Sequence, residues 1–215
     1  MSDPRLPVVV LISGRGSNLQ AIINAIAHEA LPIEIRAVIS NRPDAPGLQF
    51  ARDAGIPVAI VDHRAFPERA GFESALAAAI DAHAPKLVVL AGFMRVLGAD
   101  FVRRYQGRMI NIHPSLLPEF PGLDTHARAL AARHSRHGAT VHFVTPSVDG
   151  GPVIVQAAVP VLADDTPEKL AGRVLTAEHR ILPLALKWFA ENRLSIRGGR
   201  VLLDGKERSG EELIP

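Results

Sequence analysis

Short, uninterrupted apolar runs alternate with segments of helical period along the first two thirds of the chain, and that alternation narrows the fold further than any single motif. Residues 8–12 (Val-Val-Val-Leu-Ile), 33–40, 57–61, 87–91 and 108–112 read as strands. Between them Leu19, Ile22, Ile23, Ile26 and Ala30 recur at helical spacing, as do Phe72, Leu76, Ala79 and Ile80, with shorter helices over 47–54 and 100–105. Ser17 or Asn18 stands where a side chain caps the first helix. Strands that are apolar at successive positions are buried on both faces, so the pattern predicts a parallel sheet with helices on each side. Past residue 138 the pattern changes. Residues 139–145 and 152–159 read as two strands around Ser147-Val148-Asp149-Gly150-Gly151, an antiparallel addition. A long helix over Pro167–Ala190, kinked at Pro183, follows. A terminal hairpin over 193–210 turns through Leu203-Asp204-Gly205-Lys206. The fold expected is α/β: a doubly wound, mostly parallel sheet with an antiparallel C-terminal extension.

With 215 residues the chain suits one domain that needs no covalent staple. It has no cysteine, which excludes disulfides, a thiolate nucleophile and a Cys-ligated metal site. The longest apolar stretches, 7–12 and 87–94, fall far short of the roughly 20 residues of a spanning helix. No signal-like run opens the chain, so an unexported, soluble protein is expected. Net charge is only +2. Between residues 101 and 140, however, Arg103, Arg104, Arg108, Arg128, Arg133 and Arg136 stand against Glu119 and Asp124, six positive charges less two negative, or +4. Such a patch either meets an anionic ligand or is a solvated face; a nucleic-acid reader is usually more basic overall.

Gly14-Arg15-Gly16, between the first strand and first helix, is a physically sensible phosphate loop. Glycine lets the backbone approach closely, and the helix N-terminus offers N–H groups and partial positive charge. A tight strand–helix turn without ligand would use the same residues. A dinucleotide fingerprint is disfavoured: its third glycine position holds Leu19, and Ser40-Asn41 ends the second strand where a ribose-binding acid is expected. There is no lysine for a Walker loop, so a monophosphate fits better than NAD or ATP.

Asn111-Ile112-His113-Pro114-Ser115 lies at the carboxyl end of a predicted strand, where open α/β sheets bind ligands. Strand alternation puts Asn111 and His113 on one side. An amide donor beside an imidazole suits a developing oxyanion; a strand-end histidine satisfying a backbone group is the plainer alternative. Asp149 sits in a glycine-rich turn, presented on a loop. If it reaches His113 it orients the ring and favours its protonated form; turn aspartates are also common without such a role. His126, His134, His137 and His142 have no ligand-like spacing with carboxylates, and no metal site is expected.

Taken together, Ile12-Ser13-Gly14-Arg15-Gly16-Ser17-Asn18-Leu19, Leu90-Ala91-Gly92-Phe93-Met94-Arg95, the Asn111–Pro118 run, Val141-His142-Phe143-Val144 and Asp149-Gly150-Gly151-Pro152 resemble the phosphoribosylglycinamide formyltransferase family over about residues 7–190, in matching order. The resemblance implies a Rossmann-like formyltransferase fold. It also implies transfer of the formyl group of 10-formyltetrahydrofolate to the amine of glycinamide ribonucleotide, in purine synthesis. By motif, Asn111, His113 and Asp149 match the catalytic trio, and Gly16, Ser17, Asn18 and Glu178 the ribonucleotide side. Arg69, Met94, Arg95, Val96, Leu97, Asn111, Thr145, Pro146, Ser147, Val148 and Asp149 match the folate side. Leu175 departs from the family, which has a polar neighbour of the ribonucleotide there, and the 121–126 loop matches only in part. The implied organisation is one formyltransferase domain over 1–215, with a phosphate-binding half to about 105, a catalytic and folate-binding half over 106–190 and a tail over 191–215. The implied protein is cytoplasmic, a monomer or weak homodimer, without metal, nucleic acid or membrane partners.

Three other readings compete. Methionyl-tRNA formyltransferases and formyltetrahydrofolate deformylases share the Asn/His/Asp chemistry but carry a further domain for which few residues remain here. A non-catalytic folate- or nucleotide-binding module would keep the pocket and lose the chemistry; the intact trio speaks against it.

Overall fold

The computed structural model describes residues 5–207. Its backbone order is β1 (Leu6–Ile12), α1 (Ser17–His28), β2 (Ile33–Ser40), α2 (Leu48–Asp53), β3 (Val58–Ile60), a 3₁₀ turn (His63–Ala65), α3 (Arg69–Asp81), β4 (Leu87–Leu90), α4 (Ala99–Arg104) and β5 (Met109–His113). There follow α5 (Thr125–Ala131), β6 (Arg136–Phe143), β7 (Val153–Pro160), α6 (Pro167–Ala190), β8 (Leu194–Arg197), β9 (Arg200–Leu203) and β10 (Lys206–Glu207). Seven strands form a mostly parallel sheet of order β3-β2-β1-β4-β5-β6-β7, and β8–β10 form an antiparallel sheet of three. The chain divides into two compact units, residues 1–111 and 112–215.

In the first unit β1 pairs in parallel with both β2 and β4. Val8, Val9, Val10, Leu11 and Ile12 have no solvent exposure, as a central strand covered on both faces requires. The chain first builds outward through β2 and β3, then returns to the other side of β1 with β4 and β5. Right-handed crossovers therefore put α1 and α2 on one face and α3 and α4 on the other, which is double winding. The reversal occurs between β1 and β4, so the carboxyl ends of those strands form the crevice at which such sheets bind ligands.

In the second unit β6 and β7 pair antiparallel from Arg136↔Pro160 to His142↔Val153. The helix α6 begins at Pro167 behind Thr166, whose hydroxyl accepts from the Lys169 N–H, and buries Leu170, Val174, Ile181 and Ala185 on one stripe. It continues as one helix through Pro183. The predicted terminal hairpin is half of what is present: the β9–β10 turn uses Leu203 to Lys206, but a second turn at Gly198-Gly199, both at positive φ, adds β8. Residues 208–210 of that prediction lie outside the described residues. The helix α5 has no counterpart in the sequence reading.

The arginine-rich stretch is largely dissolved into local structure. Arg103 pairs with Asp100, and Arg104 with Asp81. Arg108 donates to the Pro85 and Arg104 carbonyls and lies 4.9 Å from the Tyr105 ring centre. Arg128 donates to the carbonyls of Pro121 and Leu123. Among the described residues no helix is long and apolar enough to cross a membrane.

Candidate active site

In the first unit the loop after β1 is shaped backbone against backbone. Gly16 has φ 74°, and a Cβ there would stand 2.5 Å from the Cα of Gly47. The Gly47 N–H donates to the Gly14 carbonyl at 3.0 Å. Gly16, not Ser17 or Asn18, is the N-cap of α1, and no side-chain cap bond forms there. This corrects the expected cap: the left-handed glycine turns the chain directly into the helix, so Ser17 and Asn18 become its first two residues. First-turn N–H groups left without a side-chain cap are the groups that hold an anion. Gly47 was not singled out from the sequence, which placed it only at the start of a short helix over 47–54.

Across the switch point, the segment after β4 presents Met94 and Val96, 63% and 60% exposed, beside Arg95. Arg69 opens α3, is mostly exposed and lies 3.7 Å from Glu73. The Glu73 carboxylate in turn accepts the Gly98 N–H at 2.6 Å. Asn111, half-buried, is the last residue of this unit and pairs with Leu90 of β4.

The second unit begins with the last two residues of β5. His113 is buried, and its Nδ1 lies 3.5 Å from Oδ2 of Asp149. Its Nε2 lies 3.0 Å from the Phe120 carbonyl. A carbonyl only accepts, so that nitrogen carries a proton and donates it. Asp149, at φ 51°, is held from a third side by the Gly122 N–H, which donates to Oδ2 at 2.8 Å. Its other oxygen lies 3.8 Å from Nε2 of His142. The Nδ1 of His142 lies 3.0 Å from the Phe143 carbonyl, and burial pushes this imidazole below the ordinary histidine range. The loop 145–149 is closed by the Gly150 N–H on the Ser147 carbonyl, and a side chain at Gly151 would run into the Phe143 carbonyl. Glu178 is buried on α6, one helical turn after Val174.

The loop leaving His113 is anchored by a pair invisible as a motif. Thr140 of β6 and Gln156 of β7 stand opposite each other in register. The Thr140 hydroxyl donates to the Ser115 carbonyl at 2.6 Å and accepts from the Leu117 N–H at 3.0 Å and Gln156 Nε2 at 2.9 Å. Gln156 also donates to the Leu117 carbonyl. Polar residues breaking two apolar strands were the available signal.

His126, His134 and His137 pack as rings around Phe120 and one another. His137, fully buried in β6, meets Phe120 and His126 edge to face. Burial, helped by the neighbouring histidines, lowers its pKa from 6.5 to about 4. A folded-state pKa below the unfolded one means the unfolded chain binds the extra proton first. Stability is therefore fully present above about pH 6.5 and is lost as pH falls towards 4, by about 3 kcal/mol from this group. Denaturant titrations of the wild type and His137→Phe across that range check this: the variant is expected to show the shallower acid slope.

The chain belongs to the formyl transferase family, whose model matches residues 6–186. Within it, the chain is 51% identical over 199 residues to phosphoribosylglycinamide formyltransferase of Escherichia coli K12, covering 93% of this chain and 94% of that one. Its structure superposes on that of phosphoribosylglycinamide formyltransferase from Coxiella burnetii in complex with CHES, with TM-score 0.93, 56% identity and coverage of 97% and 99%. Glycinamide ribonucleotide transformylase 1 from Symbiobacterium toebii gives TM-score 0.91 at 47% identity, covering 94% of this chain and 95% of that one.

Proposed function

We propose that this chain transfers the formyl group of 10-formyltetrahydrofolate to the amine of glycinamide ribonucleotide, yielding the N-formyl ribonucleotide and tetrahydrofolate in purine biosynthesis. The observation that carries the reading is the His113–Asp149 pair at the end of β5, in a chain half identical to enzymes of that name. The ribonucleotide phosphate is assigned to Gly16, Ser17 and Asn18 and its ribose to Glu178. The folate is assigned to Arg69, to residues 94–97 and to residues 145–149.

The neutral substrate amine is a competent nucleophile, so the protein supplies no covalent one. Its attack on the formyl carbon makes a tetrahedral oxyanion, for which Asn111 and the Nε2–H of His113 are the donors. In the structure that N–H is given to the Phe120 carbonyl. A charged oxygen is the stronger acceptor and displaces a neutral carbonyl. Asp149 orients His113 and takes the proton that the amine sheds, directly or through water, for delivery to the departing folate nitrogen. The whole chain serves as one formyltransferase domain, acting in the cytoplasm as a monomer or weak homodimer, with a mechanism that calls on no metal or nucleic acid.

Purified protein given 10-formyltetrahydrofolate with glycinamide ribonucleotide, initiator methionyl-tRNA or water alone tests the assignment. Formyl transfer to the ribonucleotide alone is expected; comparable hydrolysis, or formylated tRNA, would overturn it.

A further inference from the structure

Ser13 and Asn41, which follow β1 and β2, have no part in the steps above, and both are buried, at 3% and 2% exposure. Asn41 occupies the position at which a dinucleotide fold holds its ribose-binding acid, and here it faces inward. The Ser13 hydroxyl donates to Asn41 Oδ1 at 2.5 Å and accepts from the Met94 N–H at 2.7 Å. Asn41 Nδ2 lies 3.1 Å from Nδ1 of His63 in the 3₁₀ turn, and the same ring nitrogen lies 3.0 Å from the Asn41 backbone carbonyl, so the His63 tautomer sets which of the two it bonds. A hydroxyl has a single proton; committing it to Asn41 turns the oxygen's lone pairs towards Met94.

The parallel register of β1 and β4 ends at Leu11↔Leu90. Backbone bonds carry it slightly further: the Ala91 N–H donates to Leu11, and the Ser13 N–H to Gly92 at 3.1 Å. At Gly92 φ is +80° and the chain turns away. The next rung is made by a side chain, the Ser13 hydroxyl standing in for a strand carbonyl under the Met94 N–H. At its far end the same run is held by Glu73 on Gly98. The run 94–97 is thus suspended between two side-chain anchors, with Met94 and Val96 left exposed.

We infer that Ser13, oriented by Asn41, is a positioning residue for the formyl donor: it fixes the main chain at Met94 and with it the 94–97 run against which the reduced folate lies. This rests on the proposed assignment of that run to the folate side. Ser13→Ala leaves a part-buried N–H and the Asn41 amide oxygen without their partner.

The test compares wild type, Ser13→Ala and Ser13→Thr, reading the Kd of tetrahydrofolate by calorimetry and KM for each substrate. In Ser13→Ala the folate Kd and KM are expected to rise about tenfold or more, with ribonucleotide KM and kcat within about threefold, while Ser13→Thr restores the folate values. A merely structural serine would lower Tm and weaken both substrates alike. Equal losses on both, or unchanged folate affinity in folded Ser13→Ala, overturns the inference. If Ser13→Ala does not fold, Asn41→Ala decides: it keeps the Met94 bond but releases the hydroxyl, so a smaller loss confined to folate is expected, and no loss overturns. Because calorimetry needs no formyl acceptor, failure of the activity assignment and failure of this inference give different results.

Discussion

Asp149→Asn is expected to lower kcat by about 10²–10⁴-fold, the range for loss of a positioned acid–base group, in a protein that stays folded. The substitution is isosteric, and asparagine tolerates the left-handed φ of 51° that this position adopts. Its amide oxygen still accepts the Gly122 N–H, so the loops at 119–124 and 145–149 keep their tie. What disappears is the negative charge 3.5 Å from His113 Nδ1 and 3.8 Å from His142 Nε2, and with it the site that takes the amine's proton. With the amide oxygen kept at the position shared by Gly122 and His113, the NH₂ takes the other position and faces His142 Nε2. His113→Ala removes an oxyanion donor and is expected to cost about 10²–10³-fold in kcat. Because the two residues act as a pair, the double variant should lose much less than the product of the single losses. Saturating turnover assays, with circular dichroism to verify folding, read all three. Near-normal turnover in folded Asp149→Asn would remove the carboxylate from the mechanism.

The double winding was legible because burial on both faces writes a strand as a plain apolar run, as at residues 8–12 and 87–90. The helix α6 was legible at both ends: Thr166 and Pro167 mark its start, and its apolar stripe persists to Trp188 and Phe189. The helix α5 was not. Its seven residues, Thr-His-Ala-Arg-Ala-Leu-Ala, are too few to show a period, and it starts at Asp124 in the left-handed region, which no cap rule anticipates. In the site, side chains announced themselves and backbone did not. Gly14, Gly16, Asn111, His113 and Asp149 could each be found by type and position. The Phe120 carbonyl on His113 and the Gly122 N–H on Asp149 are chemical groups that every residue carries, so nothing in the letters marks them. The same holds for Gly47, whose importance lies in the Cβ it lacks.

That missing Cβ gives the second large effect. Gly47 has φ −62°, ordinary for any residue, so Gly47→Ala brings no backbone penalty of its own. Its new methyl, however, would stand 2.7 Å from the Gly16 Cα and 2.9 Å from both the Gly14 carbonyl oxygen and the Gly16 nitrogen. Backbone atoms cannot swing aside as a side-chain tip can, so the loop itself must shift. Gly16→Ala meets the same clash and also forces a side chain into the left-handed region, at about 1 kcal/mol more. Misplacing catalytic or binding groups by about 1 Å costs on the order of 10²-fold. Gly47→Ala is therefore expected to raise ribonucleotide KM by about that factor, Gly16→Ala by more, with tetrahydrofolate affinity within a few-fold of wild type. The order of the two variants matters: if crowding at the loop governs phosphate binding, the unstrained Gly47→Ala already shows most of the effect. Were only Gly16→Ala impaired, the φ requirement rather than the close approach would explain the glycine. Unchanged ribonucleotide KM in both folded variants would take the phosphate away from this loop.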